Sequence, residues 1–494
     1  MGMAPSAART EGGRASRPKS IREHWRGRCV TSPASLIELG PESLELGAAF
    51  AAAGHELYLV GGPVRDALIG RPCEDSDFTT DARPDEILRI VEPIASATWT
   101  TGIRFGTVGA RVQGAMCEIT TFRADRYDGV TRNPDVVYGD SLADDLRRRD
   151  FTMNAMAMSV TGDRAFSDPH GGLADLGHGV LRTPAPPEES FGDDPLRMLR
   201  CARFVSTLGA RVAPEAAAAM TTMAGELARI TPERVLAELT KLVLGAQPRA
   251  GLEVMVETGL AEVVLPELPA LRMAADEHGQ HKDVYAHTLQ VLDQAIDLET
   301  DGPDIVLRWA ALLHDVGKPA TREFGDGARV TFHHHEVVGA RLARKRLKAL
   351  RASNQLIDDV SQLVYLHLRF YGYRSSEWTD SAVRRYVQDA GPLLPRLHKL
   401  VRSDCTTRNL RKAAALSHAY DALEQRIAVL KEQEELDAIR PDLDGNEIMA
   451  LLDIPPSPLV GKAYKHLLDL RMEQGPLGRD RAIIELRCWY DAQS

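Results

Sequence analysis

The sequence predicts a multidomain α+β protein, with a sheet and its helices at the N-terminal end and a long, almost wholly helical remainder. Three observations predict it. At 494 residues the chain exceeds one domain, since roughly 150 residues is a common domain size. From about Ser32 to Val160, short apolar runs alternate with turns bearing Gly, Pro and Asp, which is the pattern of strands in a sheet. Beyond Asp193, apolar residues recur at i, i+3 and i+4, the spacing of one helix face. The 44% hydrophobic and 26% charged residues are enough to bury several cores and do not fit a disordered or collagenous chain. No apolar run approaches the ~18 to 20 residues of a membrane span.

In chain order, residues 1 to 30 carry seven Lys/Arg against two acids and no apolar run, so a disordered arm is expected; an organelle transit peptide is the alternative. Strands are expected at Glu56–Val60, Phe105–Val112, Met116–Phe122 and Ala155–Val160, and helices at Pro195–Leu208, Pro232–Leu244, Asp304–Val316 and Val337–Leu350. Proline-bearing breaks at 184–187, 266–269, 441 and 455–458 mark the joints. Six scattered cysteines without a C-x-x-C pair argue against a disulfide scaffold or a cysteine zinc site, and a reducing cytoplasm is the expected compartment. The net charge of −10 argues against coating nucleic acid by bulk charge, although a local basic face remains able to hold RNA.

The chemistry concentrates first in LYLVGGPVRDALIGRPCEDSDFTT. An apolar strand turns at Gly61-Gly62, where the absence of Cβ atoms lets backbone amides approach a phosphate, and a helix carrying Arg65 follows. Asp75 and Asp77 are two apart on the next strand and so face the same way. Paired carboxylates repel unless a cation separates them, and Mg²⁺ favours one or two carboxylates completed by substrate phosphates. Glu118, on a later strand, could supply a third acid. A hairpin bend with turn aspartates would explain the segment as well, were it alone.

It is not alone. GGPVRD with EDSDFTT resembles motif A of the class II tRNA nucleotidyltransferase and poly(A) polymerase family, within the superfamily that includes DNA polymerase β. RRRDFTMNAMA resembles its motif B, DPHGG its motif C, DDPLRMLRCARF its motif D and TPERVLAELTKLV its motif E, in the same order. The resemblance implies a polymerase β-like sheet with catalytic Asp75, Asp77 and Glu118 on two Mg²⁺ ions. It further implies that Gly61, Gly62 and Arg65 hold the triphosphate and that Arg149, Asp150 and Asn154 hold the sugar and phosphates. Asp194, Arg197 and Arg200 would read the incoming base. Three apart at a helix start, Asp194 and Arg197 would share a face, and an acceptor beside a guanidinium fork suits cytosine and adenine; an ordinary i, i+3 ion pair is the structural alternative.

A second constellation is the ordered series His287, His314-Asp315, His335, His367 and Asp404. Imidazole and carboxylate suit Mn²⁺, Fe²⁺, Ni²⁺ or Mg²⁺. The H…HD…D pattern resembles the HD superfamily of metal-dependent phosphohydrolases at His287, His314, Asp315 and Asp404, and His335 with His367 could complete a second metal site. Such a domain occurs fused behind the nucleotidyltransferase within the family.

These resemblances divide the chain into arm (1–30), nucleotidyltransferase head (31–180), helical nucleotide-selecting neck (181–270), HD domain (271–415) and helical tail (416–494). The run Arg341–Arg351, with six basic residues and no acid, fits a solvated face or a phosphate-contacting one, and the tail is expected to bind tRNA. The implied activity is template-independent addition of CMP and AMP from CTP and ATP to the tRNA 3′ end, releasing pyrophosphate. A poly(A) polymerase or a partial CC- or A-adding enzyme shares all five motifs. An HD phosphohydrolase with a non-catalytic head is the alternative from another class.

Overall fold

The computed structural model describes residues 33–72, 76–123, 139, 141–273, 283–324, 330–370, 378–407, 409–434 and 440–493. The N-terminal arm and Asp75 lie outside the described residues. Two compact units form, Met1–Val264 and Leu265–Ser494, dividing beside the Pro266–Pro269 break. No described helix is long and apolar enough to cross a membrane.

The first unit opens with α1 (Pro41–Ala53), β1 (Leu57–Val60), α2 (Gly62–Leu68), β2 (Ser76–Thr80), α3 (Pro84–Val91), β3 (Ala97–Trp99), β4 (Thr107–Val112) and β5 (Ala115–Thr121). After α4 (Leu142–Arg147) come β6 (Ala157–Ser159) and β7 (Phe166–Ser167). These strands make one seven-stranded sheet in the order β3-β4-β5-β2-β1-β6-β7. Within this sheet, among the described residues, only β2 and β5 run parallel. Alternation decides the faces of its β4–β5 wing: Val108, Ala110, Val112, Cys117 and Ile119 are buried, and α1 and α3 pack on this part of the sheet, with Leu46, Phe50, Ile87 and Val91 buried on the helices. The alternate residues Arg111, Met116 and Glu118 are exposed on the other face.

Helices then take over: α5 (Gly172–His178), a short β8–β9 pair (Val180–Leu181 with Arg211–Val212), α6 (Pro187–Asp193), α7 (Leu196–Leu208), α8 (Pro214–Met223), α9 (Pro232–Val243), α10 (Pro248–Glu257) and α11 (Leu260–Val264). Asp168, from the DPHGG segment, accepts from the amides of Gly172 and Leu173 at 2.6 and 3.0 Å, so it starts α5. Helix α7 packs on α9 and α10 through buried Leu199, Ala202, Leu239, Leu242 and Leu252.

The second unit contains α12 (Val284–Asp297), α13 (Ile305–Leu313), a β10–β11 hairpin (Arg322–Phe324 with Val330–Phe332), α14 (His335–Ala349), α15 (Asn354–Leu366), α16 (Asp380–Ala390) and α17 (Leu394–Ser403). Asp283, Asp304, Ser353 and Thr379 cap four of these helices through side-chain oxygens. Helix α13 is buried from Val306 to Leu313, with Trp309 and Leu312 fully enclosed. The long α18 (Leu410–Glu434) leads to α19 (Gly445–Leu452), α20 (Pro458–Gln474) and α21 (Arg479–Asp491), whose core joins Ile448, Ala463, Leu467, Ala482 and Leu486. At the Pro-Ser-Pro break, Ser457 is extended and Pro458 opens α20, a position that needs no backbone donor.

Candidate active site and metal centre

The parallel pairing of β2 with β5 puts Asp77 directly opposite Glu118, although 41 positions separate them in sequence. Paired residues share a face, so both carboxylates project from the outer side of the sheet while neighbouring Phe78 and Ile119 enter the core. Phe78 and Ile119 bury fully and thereby lock the register, because a slip of one residue would turn both acids inward.

Gly61 joins β1 to α2 with φ +75°, a conformation costly for any other residue. A Cβ there would lie 2.9 Å from Nη1 of Arg149, so the missing side chain also makes room for that guanidinium. Arg149 pairs with Asp145 at 3.3 Å, and its buried Nε has no hydrogen-bond partner. Arg65 is buried and committed: Nε and Nη2 donate to Asp66 at 2.9 and 2.7 Å, and Nη1 donates to Oδ1 of Asn154 at 2.6 Å. Asn154 in turn donates to Asp150 Oδ1 at 2.9 Å, and Arg200 donates to Asp150 Oδ2 through Nε and Nη2 at 2.8 and 2.6 Å. Burial alone would raise the Asp150 carboxyl, but Arg200 and the Asn154 amide hold it well below the usual carboxylate range. The chain Arg65–Asn154–Asp150–Arg200 thus ties motifs A, B and D into one network with an ionised centre.

Asp194 and Arg197 differ from the expectation of one helical face. Asp194 precedes α7 in an extended conformation because Pro195 follows it; its Oδ1 accepts from the Leu196 amide at 3.1 Å. Its Oδ2 pairs with Nη2 of Arg234 at 2.8 Å, so the alternative of an i, i+3 pair with Arg197 is not formed. Arg197 instead donates Nη1 to the Ser190 hydroxyl at 2.8 Å and Nη2 to the Arg148 carbonyl at 2.5 Å. Arg234 and the buried Glu238, which pairs with Arg203 at 2.9 Å, are contributions of TPERVLAELTKLV that sequence reasoning did not single out. Their charges inside a recognised motif were the available signal.

In the second unit, helix ends converge. His287 lies in the first turn of α12, His335 opens α14, and His314, His367 and Asp404 cap the C-terminal ends of α13, α15 and α17. Three negative C-terminal dipole ends meet two positive N-terminal ones at the site, a balance that leans toward a cation. Two ligand groups emerge among the described residues, His287–His314–Asp404 and Asp315–His335–His367, each with its ligand atoms within 4.8 Å of one another. Asp315 spans both: Oδ2 lies 3.2 Å from His314 Nε2, and Oδ1 lies 3.4 Å from His335 Nε2. The Nδ1 atoms of His314, His335 and His367 face the carbonyls of Ala311, Phe332 and Val364 at 2.8, 2.8 and 2.6 Å, so Nδ1 holds a proton and, in the neutral imidazole that a metal binds, Nε2 carries the lone pair. Those three Nε2 atoms are buried without an aligned hydrogen-bond partner, as metal ligands would be. Burial and the neighbouring His314 push the His367 imidazole down to about 4, which keeps it neutral and able to ligate. Lys318, not singled out from sequence, places Nζ 2.5 Å from Asp315 Oδ2.

Residues 57–182 match the poly A polymerase head domain, 209–271 the probable RNA and SrmB-binding site of polymerase A, and 284–408 the HD domain. The chain is 34% identical over 444 residues to the A-adding tRNA nucleotidyltransferase of Deinococcus radiodurans, covering 86% of this chain and 94% of that protein. It is 33% identical over 348 residues to the CCA-adding enzyme of Anoxybacillus flavithermus, covering 70% and 74%. The crystal structure of the Bacillus stearothermophilus CCA-adding enzyme in complex with CTP shares its fold, with a TM-score of 0.64 at 24% identity over 92% of this chain and all of that one. The chain belongs to the tRNA nucleotidyltransferase and poly(A) polymerase family, and it carries an HD domain behind the head and neck.

Proposed function

We propose that the chain adds CMP and AMP from CTP and ATP to the 3′ end of tRNA, building CCA with release of pyrophosphate. The observation that carries this is the register match of Asp77 and Glu118 on the outer face of the sheet, in the unit that also holds the Arg65–Asn154–Asp150–Arg200 network. Asp77, Glu118 and Asp75 would hold Mg²⁺, which when bound lowers the pKa of the attacking hydroxyl and neutralises the departing pyrophosphate. The Gly61-Gly62 amides and the Arg149 guanidinium, with its unpartnered Nε, suit the triphosphate. Arg65 fixes the amide of Asn154, and Asp150 orients both Asn154 and Arg200, so the sugar meets a preset surface rather than mobile side chains. Asp194 and Arg197, held by Arg234 and Ser190, would read the base.

The test is an end-labelled tRNA lacking CCA, given CTP, ATP, both or neither with Mg²⁺. Two additions with CTP alone and three with both are expected. A long ladder with ATP alone would replace this reading with a poly(A) polymerase. A specific observation favours a second reading, since the relative matched along 94% of its length is an A-adding tRNA nucleotidyltransferase. Extension only of a tRNA already ending in CC would establish it.

The HD site would hold two divalent ions, one on His287, His314 and Asp404 and one on His335 and His367, with Asp315 between them. The buried Nε2 atoms support it. Phosphate release from a phosphomonoester by the Mn²⁺- or Ni²⁺-loaded protein, lost in Asp315→Asn, is the corresponding test.

A further inference from the structure

One row of residues crosses the sheet at the level of the two acids. Trp99 of β3 pairs with Gly109 of β4, Gly109 with Glu118 of β5, and Glu118 with Asp77 of β2. Partners share a face, so the indole and the carboxylates lie in line on the outer side. Gly109 explains how the indole lies. A Cβ there would sit 1.9 Å from Nε1 and 2.0 Å from Cε2 of Trp99, so the ring rests over the glycine, on the side toward Glu118. One step along the same face, Arg111 pairs with Met116; both are exposed, Met116 at 50%. An aromatic ring, a cation and a long apolar side chain therefore surround Glu118 on a face that the core does not use.

We propose that this outer face of β3–β5 is the platform for the 3′-terminal nucleotides of the acceptor RNA, with Trp99 stacking on a base and Arg111 contacting a phosphate. The proposal rests on the nucleotidyltransferase reading and adds to it the side from which RNA enters. In-line displacement needs the attacking and leaving oxygens on opposite sides of the phosphorus. Gly61 and Asn154 lie beyond Asp77 toward β1 and β6, so a triphosphate held there leaves the β5 side to the attacking hydroxyl. Strands are about 4.8 Å apart, which places an indole over Gly109 roughly one nucleoside's reach from Glu118. Sheet faces that present aromatic side chains are a recurring way to bind single-stranded RNA, and every base offers a ring to stack on.

The experiment compares wild type with Trp99→Ala, Trp99→Phe and Arg111→Ala. Each is measured for binding to a tRNA lacking CCA, for binding to the same tRNA with its unpaired 3′ nucleotide also removed, and for KM toward tRNA and CTP. Trp99→Ala should weaken binding of the longer RNA by about 5- to 100-fold, raise KM for tRNA accordingly, and leave KM for CTP unchanged. Trp99→Phe should restore most of the affinity. Arg111→Ala, a surface change that does not threaten folding, should lower affinity and reduce the salt slope by about 1. Against the shortened RNA, Trp99→Ala and wild type should bind alike. Wild-type affinity of Trp99→Ala for the longer RNA, or an equal loss against both RNAs, would overturn the platform. The binding measurements need no turnover, so they decide the platform even if the wild type fails to extend tRNA, a result that would count against the activity alone.

Discussion

Asp77 and Asp150 are both acids of the head, yet they should fail differently. Asp77 is a partly exposed carboxylate facing Glu118, with little packing to lose. Asp77→Asn should lower CMP addition by roughly a thousandfold while tRNA binding and melting temperature stay close to wild type, measured by single-turnover extension and thermal melts. Asp150 is the buried hub for Asn154 and Arg200. Asp150→Asn should cost about 3 kcal/mol at pH 7, since it leaves a guanidinium facing a neutral group. The sign with pH follows from the depressed carboxyl: its stabilisation is fully present above the ordinary Asp value near 3.9 and fades as pH falls toward the lower folded value. Urea melts should therefore give a constant difference between wild type and variant from pH 7 to about 5 and a shrinking one below about pH 4.

At the scale of elements, glycine and helix ends do the positioning. Gly109→Ala would put a Cβ where the indole lies, so it should reproduce the RNA-binding loss of Trp99→Ala while Asp77 and Glu118 stay in register. A titration with acceptor tRNA checks it. On the proposed two-ion HD site, His367→Ala takes away one candidate ligand, at the end of α15, and leaves His287, His314 and Asp404 in place. Metal analysis after reconstitution with Mn²⁺ should fall from two ions per chain to one. The elements themselves were largely legible. Periodicity placed helices at Pro195–Leu208 and Pro232–Leu244, and they form at Leu196–Leu208 and Pro232–Val243. The departure at Asp194 has a local cause, the proline after it, which holds that residue extended and frees its carboxylate for Arg234.

Across the whole molecule, the acids of the head and the histidines of the HD domain belong to separate compact units. Asp315→Asn should therefore abolish Mn²⁺ stabilisation of the second unit and leave nucleotide addition near wild type, whereas Asp77→Asn should do the reverse. Calorimetry with and without Mn²⁺, where saturation at about 100 times Kd adds roughly 2.7 kcal/mol to the wild type, separates the two.

The sequence by itself determined the fold class, the order of motifs and most chemical groups of both sites, because binary patterning and residue type are local properties. It paired Asp75 with Asp77 by a spacing of two and collected the histidines by their series. Tertiary structure decided what depends on long-range register and on who meets whom. Parallel pairing brought Glu118 beside Asp77, burial turned the Nδ1 atoms of His314, His335 and His367 to carbonyls and so aimed their Nε2 atoms inward, and the packing of α7 with α9 gave Asp194 the partner Arg234. Trp99 carried no signal at all in the sequence. It gained a role only when two antiparallel pairings laid it over Gly109 in line with the acids, a juxtaposition set by strand order rather than by any spacing along the chain.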